Sequence, residues 1–175
     1  MKRIILLVVV MAFGLNSFSQ GLELGVKFGA NFSTLSEGPG PEQRTGFLGG
    51  AFVGIKFSDR IAIQSELLYS QQGAEFDLDK VDLNYVNLPV VMKLYLVKGL
   101  NIQGGPQFGF LVDDNLPDSI VEAETFDLSG IIGAGYDLPF GLRLDARYHF
   151  GVTEVEKTTE AKNQVFSLAL GYSFL

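Results

Sequence analysis

The sequence contains no cysteine and no tryptophan, and His149 is its single histidine. The absence of cysteine excludes disulfides, thiolate metal ligands and cysteine nucleophiles. One histidine cannot build a metal site that needs several imidazoles. From this inventory of residues we predict no catalytic group, no metal site and no cofactor.

Positive charge is also scarce, since 13 Lys and Arg stand against 20 Asp and Glu, giving a formal net charge of −7. A protein that binds nucleic acid needs a basic face, because its affinity comes largely from neutralising phosphates and releasing their counterions. The charge balance therefore argues against a nucleic-acid partner.

Long hydrophobic runs are missing except at the start of the chain, where residues 4–15 are apolar apart from Gly14. A membrane-spanning helix needs about 20 such residues, so this run is too short. Lys2 and Arg3 precede it, and Ser17 and Ser19 follow at the spacing of a cleavage site. We predict a secretory signal peptide over residues 1–19 and one domain over residues 20–175.

Glycine and phenylalanine are abundant, with 21 and 15 residues, and the remaining chain alternates between apolar and polar side chains. A period of two is the signature of β-strands with two different faces. Eight strands are predicted, at residues 22–32, 46–57, 61–71, 85–97, 100–112, 125–137, 142–152 and 166–174. Long connections are predicted at about residues 34–45, 72–82, 113–124 and 153–162, and short ones at 58–59, 98–99 and 138–140. This alternation is typical of an outer-membrane barrel with long outer loops and short inner turns. The predicted fold is all-β: an eight-stranded antiparallel up-and-down transmembrane β-barrel.

Alternation alone does not decide which face points outward, because a soluble lipocalin-like carrier would place the apolar face inside. Glycines concentrate on the polar face, where small residues make room in a narrow eight-stranded lumen. The charges on that face are also balanced, as a desolvated interior requires. Aromatic residues near the strand ends suit the two interfacial bands of a membrane barrel. We therefore expect the apolar face to contact lipid.

Two segments resemble a known family. Residues 64–74, QSELLYSQQGA, and residues 85–93, YVNLPVVMK, are similar to motifs of the PorT-like outer-membrane β-barrel family. The resemblance implies an outer-membrane barrel, and it allows a role as an accessory of a secretion system, as for the founding member. Asn87 departs from the family, which usually has glutamate there. Leu175 follows Phe174, although a terminal aromatic residue is the usual signal for the barrel-assembly machinery.

Charged residues on the polar face form the candidate site. We expect Glu66 and Lys93, on strands joined by a hairpin, to form an ion pair inside the lumen, extended by Asp145 and Arg147. Lys27 and Glu23 belong to the same predicted structural network. The alternative is a proton or ion relay. Pro89 cannot donate to the sheet, so we expect it to mark a bulge.

An enzyme that modifies outer-membrane lipid is the main functional alternative, and it would need a nucleophile and a base at the outer rim. No serine lies two residues after His149 in the sequence. We therefore interpret His149 as a structural residue of the lumen. Fourteen of the 20 acidic residues fall in the predicted outer loops. These loops make a repulsive solvated surface. Alternatively, Asp77, Asp79 and Asp82, or Asp113 and Asp114, hold a divalent cation shared with lipopolysaccharide phosphates.

The sequence therefore predicts a non-enzymatic outer-membrane barrel with a lumen plugged by its own side chains. It would act as a structural or interaction protein, or as an accessory of secretion, through its outer loops. The expected partners are outer-membrane lipid and lipopolysaccharide, the barrel-assembly machinery during biogenesis, and a protein bound at the outer loops.

Overall fold

A computed structural model describes residues 21–35, 44–75, 80–114, 126–151 and 163–175. The predicted signal peptide and most residues of the predicted outer loops lie outside these ranges. The eight strands are β1 (Leu22–Leu35), β2 (Arg44–Ser58), β3 (Ile61–Glu75), β4 (Lys80–Val97), β5 (Leu100–Asp114), β6 (Phe126–Asp137), β7 (Leu142–Gly151) and β8 (Asn163–Ser173). In the described residues no helix combines the length and apolar character needed to cross a membrane.

The strands form a closed barrel in sequence order, with β8 pairing back onto β1. Every neighbouring pair is antiparallel. Short turns join β2 to β3, β4 to β5 and β6 to β7. All three lie at the same end of the barrel as Leu22, the first residue of β1. Short turns mark the periplasmic end of an outer-membrane barrel. The predicted all-β, eight-stranded, up-and-down architecture is confirmed.

Most of the large apolar side chains point away from the lumen. Leu67, Ile132 and Leu144 are 57%, 56% and 48% exposed on the outer wall, whereas Lys27 and Glu66 are almost completely buried. This is the opposite of a soluble lipocalin-like barrel, so that alternative is wrong. A continuous apolar belt of this kind is stable when lipid covers it. Closure of the sheet leaves no strand edge with unpaired backbone groups in the membrane.

Aromatic rings pair across and along the strands near both ends of this belt. Phe47 lies 5.8 Å from Tyr69, measured between ring centroids, near the outer end. Tyr172 and Phe174 make an edge-on contact at 5.5 Å near the inner end. Aromatic side chains favour the membrane–water interface, where an apolar ring meets a polar surface. These rings lie where the sequence predicted the two interfacial bands.

Strand β2 departs from strict alternation because two of its apolar side chains face inward. Leu48 and Phe52 are 6% and 2% exposed inside the lumen. Gly25 on β1 makes room for the ring, since a Cβ there would lie 2.4 Å from Phe52 Cζ and 2.1 Å from the carbonyl oxygen of Tyr172. The lumen therefore contains both apolar and polar side chains.

Two local expectations are wrong. The hairpin of β3 and β4 remains paired as far as Glu75 and Lys80, although residues 72–82 were predicted to be a loop. Backbone hydrogen bonds do not depend on an apolar face, so the ladder continues beyond the belt. Pro89 makes no bulge, because the register is continuous on both sides of it. It instead interrupts the β3–β4 ladder opposite Glu66, as expected for a residue without an N–H.

Candidate functional site

A cluster of four charged side chains crosses the middle of the lumen, and we call it the central cluster: Lys27, Glu66, Asp145 and Arg147. The guanidinium of Arg147 donates from Nη2 to Glu66 Oε1 at 2.7 Å and from Nη1 to Oε2 at 2.9 Å. Lys27 Nζ lies 2.7 Å from Glu66 Oε1 and 2.7 Å from Asp145 Oδ2. Strands β1, β3 and β7 are thus joined through the interior of the barrel.

Two glutamines add hydrogen bonds to the central cluster. Gln64 Nε2 donates to Glu66 Oε1 at 2.5 Å. The side chain of Gln103 accepts a hydrogen bond from Arg147 Nε at 2.9 Å and donates to Asp145 Oδ1. Buried charges are tolerated when they are both paired and hydrogen-bonded, because desolvation is otherwise too costly. The four charges sum to zero, which meets this requirement.

The expected pair between Glu66 and Lys93 does not form. The register sets Lys93 opposite Ala62, four residues from Glu66 along β3. Four residues of strand span about 13 Å, which is too far for a direct ion pair. Lys93 is fully buried, and its Nζ lies 3.6 Å from Asp137 Oδ1 on β6.

A second group of charges lies below the central cluster, toward the periplasmic end. Arg143 Nη2 is 2.9 Å from Glu23 Oε2, and Nη1 donates to Gln64 Oε1 at 3.0 Å. The same guanidinium lies 4.8 Å from the centre of the Phe52 ring. Glu23 therefore belongs to this inner group rather than to the central cluster with which it was predicted.

The outer half of the lumen contains hydrogen bonds between neutral side chains. Asn31 Nδ2 donates to Ser70 Oγ at 2.8 Å. The ring of His149 lies between two neutral partners, with Nδ1 3.1 Å from Gln107 Oε1 and Nε2 2.9 Å from Ser167 Oγ. The contact with Ser167 was missed in the sequence because the two residues lie on different strands, 18 positions apart.

The described residues include no group of three or more His, Cys, Asp or Glu side chains placed to hold a metal ion. The proposed divalent-cation positions at Asp77, Asp79, Asp82, Asp113 and Asp114 lie outside the described side chains. The observed contacts can hold strands β1, β3 and β7 together from inside the barrel. Most of its donors and acceptors face one another, whereas Lys93 Nζ and Asp137 Oδ1 are buried 3.6 Å apart without a hydrogen bond.

Comparison with known proteins agrees with this architecture. The family of the outer membrane protein beta-barrel domain matches residues 17–156, most of the chain. The chain belongs to this family. It is thus an outer-membrane β-barrel protein. No curated protein gives a significant match.

Solved structures show the same fold at low sequence identity. The crystal structure of Neisserial surface protein A is 15% identical, with a TM-score of 0.63, covering 89% of this chain and 100% of that one. The attachment invasion locus protein Ail of Yersinia pestis is 16% identical, with a TM-score of 0.56, covering 88% and 99%. A transmembrane β-barrel designed de novo is 14% identical, with a TM-score of 0.51, covering 86% and 94%. Likeness at this level of identity establishes the fold alone.

Proposed function

We propose that this protein is a non-enzymatic outer-membrane barrel whose lumen is sealed by its own side chains and which acts through its outer loops. It serves as a structural or interaction protein, or as an accessory of a secretion system, as the PorT-like resemblance implies. A cleaved signal peptide over residues 1–19 delivers it to the envelope. Its partners are lipid and lipopolysaccharide around the barrel, the assembly machinery during insertion, and a protein at the outer loops.

The central cluster carries this proposal. Its four side chains are at most 4% exposed, and they meet from both sides of the lumen. Above them lie the neutral hydrogen bonds of Asn31 and His149, and below them lie Arg143 and the ring of Phe52. An eight-stranded barrel is just wide enough to be filled by side chains in this way. A filled lumen leaves the outer loops as the place where a partner binds.

A lipid hydrolase is the second candidate, and one contact favours it. Ser167 Oγ lies 2.9 Å from His149 Nε2, and Gln107 Oε1 lies 3.1 Å from Nδ1. This order resembles a nucleophile, a base and an orienting group. Against it, Ser167 is 3% exposed and faces the lumen, whereas an acyl chain would approach from the lipid side. The orienting group is also a neutral amide rather than a carboxylate, so a structural role fits better.

Replacement of the outer loops tests the proposed function. Short glycine–serine connections would replace residues 36–43, 76–79, 115–125 and 152–162, one loop at a time and then together. We expect each variant to fold as a barrel that migrates faster on an SDS gel when unboiled, but to fail to complement a deletion strain. A loop-free barrel that restores the wild-type phenotype would overturn a role for the loops. Lipid A mass spectra from the same strains separate the hydrolase, which predicts a changed acyl pattern.

A further inference from the structure

The periplasmic end of the barrel holds an open basin with a volume of about 1010 Å³. We call it the periplasmic basin and define it by Glu23, Asp137 and Arg143 on its floor and Arg60, Lys98 and Phe140 on its rim. It opens along the barrel axis, between the three short turns. Neither the sealed lumen nor the outer loops account for it.

The floor charges are already engaged with one another. Arg143 is bound by Glu23 at 2.9 Å, and Asp137 Oδ2 accepts a hydrogen bond from the Tyr95 hydroxyl at 2.6 Å. Lys93 adds a buried positive charge directly behind Asp137. The acids of the floor are therefore neutralised and do not repel an anionic group that enters the basin.

The rim carries positive charge that is not neutralised. Arg60 and Lys98 are exposed, and neither forms an ion pair with any residue in the described ranges. Asp59 is the one acid on the same turns. Lys56 lies on the basin wall, and its side chain is 37% exposed. Its Nζ is as far as 3.9 Å from Glu23 Oε1, so this ion pair is weak. Among the side chains of the three short turns, Arg60 and Lys98 stand against the single acid Asp59.

Backbone conformation singles out the same rim. Within the described residues, Lys98 and Phe140 are the two non-glycine residues with positive φ, at 34° and 67°. Each is followed by a glycine with positive φ, Gly99 or Gly141, so both conformations belong to tight turns between antiparallel strands. Phe140 is also 92% exposed, so a large ring is held out beside the mouth of the basin. A cationic rim with one projecting aromatic ring suits a ligand that is both acidic and partly apolar.

We propose that the periplasmic basin docks an acidic peptide segment of a periplasmic protein, with acidic side chains on Arg60 and Lys98 and an apolar side chain on Phe140. An extended peptide can enter along the axis and reach the wall at Lys56. A lipid headgroup lies outside the barrel wall and reaches only the outer side of the rim. Charge complementarity of this kind sets partner choice and association rate. The site lies at the opposite end from the proposed outer-loop partner and does not depend on it.

A binding titration of the full barrel in phosphatidylcholine nanodiscs tests the proposal. The probe is a fluorescently labelled 12-residue peptide that alternates glutamate with leucine, and the control peptide has lysine in place of glutamate. We expect the acidic peptide to bind, as measured by anisotropy, and the lysine peptide not to bind. The double variant Arg60→Glu with Lys98→Glu should weaken binding at least about tenfold. Phe140→Ser should weaken it less.

The matched control is the double variant Arg44→Glu with Lys80→Glu, which reverses the charge of two residues at the other end of the barrel. It changes the net charge equally and should leave the affinity within about twofold. All variants alter turns or strand ends, and the gel shift of unboiled samples verifies that each one folds. Equal effects of the two reversals, equal binding of both peptides, or no binding would overturn the proposal. Displacement of the bound peptide by a soluble short-chain phosphatidylglycerol, added below its micelle concentration, would also overturn it, because that result assigns the rim to lipid headgroups.

Discussion

Arg147 on β7 reaches across the lumen to Glu66 on β3, although the two residues are 81 positions apart in the chain. Two parallel N–H···O contacts of 2.7 and 2.9 Å join them, which is the geometry in which a guanidinium and a carboxylate bind most strongly. Neighbouring strands are already held by backbone hydrogen bonds. This contact adds a connection between strands that share no ladder.

Removing Glu66 tests the central cluster. Glu66→Ala leaves Lys27 and Arg147 buried without their shared carboxylate, and we expect the free energy of unfolding to fall by about 3–5 kcal/mol. The measurement is urea unfolding in detergent micelles. Lys56→Ala is the matched control, since its 3.9 Å contact is partly exposed and should change stability by less than about 1 kcal/mol. Similar losses from the two variants would contradict a special role for the cluster.

The glycine beneath Phe52 gives a second prediction. In Gly25→Ala the new Cβ would lie 2.1 Å from the Tyr172 carbonyl oxygen and 2.4 Å from Phe52 Cζ. We expect a loss of about 1–3 kcal/mol or more, because neither the backbone nor the packed ring can move freely. The control is Gly104→Ala on the outer face, where the nearest atom would be 3.5 Å away. A Gly25→Ala barrel as stable as the Gly104→Ala barrel would show that the lumen is more loosely packed than described.

A charge on the outer wall tests which face contacts lipid. Ile132→Arg, in the middle of β6, should destabilise the folded barrel in lipid by about 2–4 kcal/mol. Leu96→Arg lies next to the inner end of β4 and should cost only about 0–1 kcal/mol, because its side chain can reach the interface. Unfolding of both variants in lipid vesicles gives the comparison. Equal costs at the two positions would place the membrane elsewhere on the barrel.

Reactivity of Ser167 separates a structural contact from a catalytic one. A fluorophosphonate probe labels serines that are both activated and accessible, and Ser167 is 3% exposed in the lumen. We expect no labelling of the folded protein, with a known serine hydrolase in the same tube as the positive control. Labelling that disappears in Ser167→Ala would instead support the hydrolase and contradict the non-enzymatic proposal.

The fold could be predicted because a period of two repeats along almost the whole chain, and because the apolar face is too extensive for a soluble surface. Strand ends were less predictable. The β3–β4 ladder runs to Glu75 and Lys80 through residues with no apolar pattern. The effect of Pro89 was equally hard to predict. Its missing N–H leaves a gap in the β3–β4 ladder, whereas the sequence alone suggested a bulge.

The candidate site was predictable only in part. Alternation correctly placed Glu66, Lys93 and Arg147 on the lumen side, but the partner of each charge depends on how the staggered strands meet across the barrel. The pair of Lys27 with Glu66 crosses over β2, so no hairpin rule would find it. Phe52 gave a usable signal, because an inward aromatic residue on β2 requires a facing glycine such as Gly25.

Single-channel recording tests the sealed lumen most directly. The purified barrel is inserted into a planar bilayer, and current is measured at fixed voltage in concentrated salt. Lys27, Glu66, Asp145 and Arg147 contact one another across the lumen, and the proposed seal therefore predicts insertion without steady steps of conductance. Reproducible ohmic steps from the wild-type protein would contradict the account and show that ions pass the central cluster.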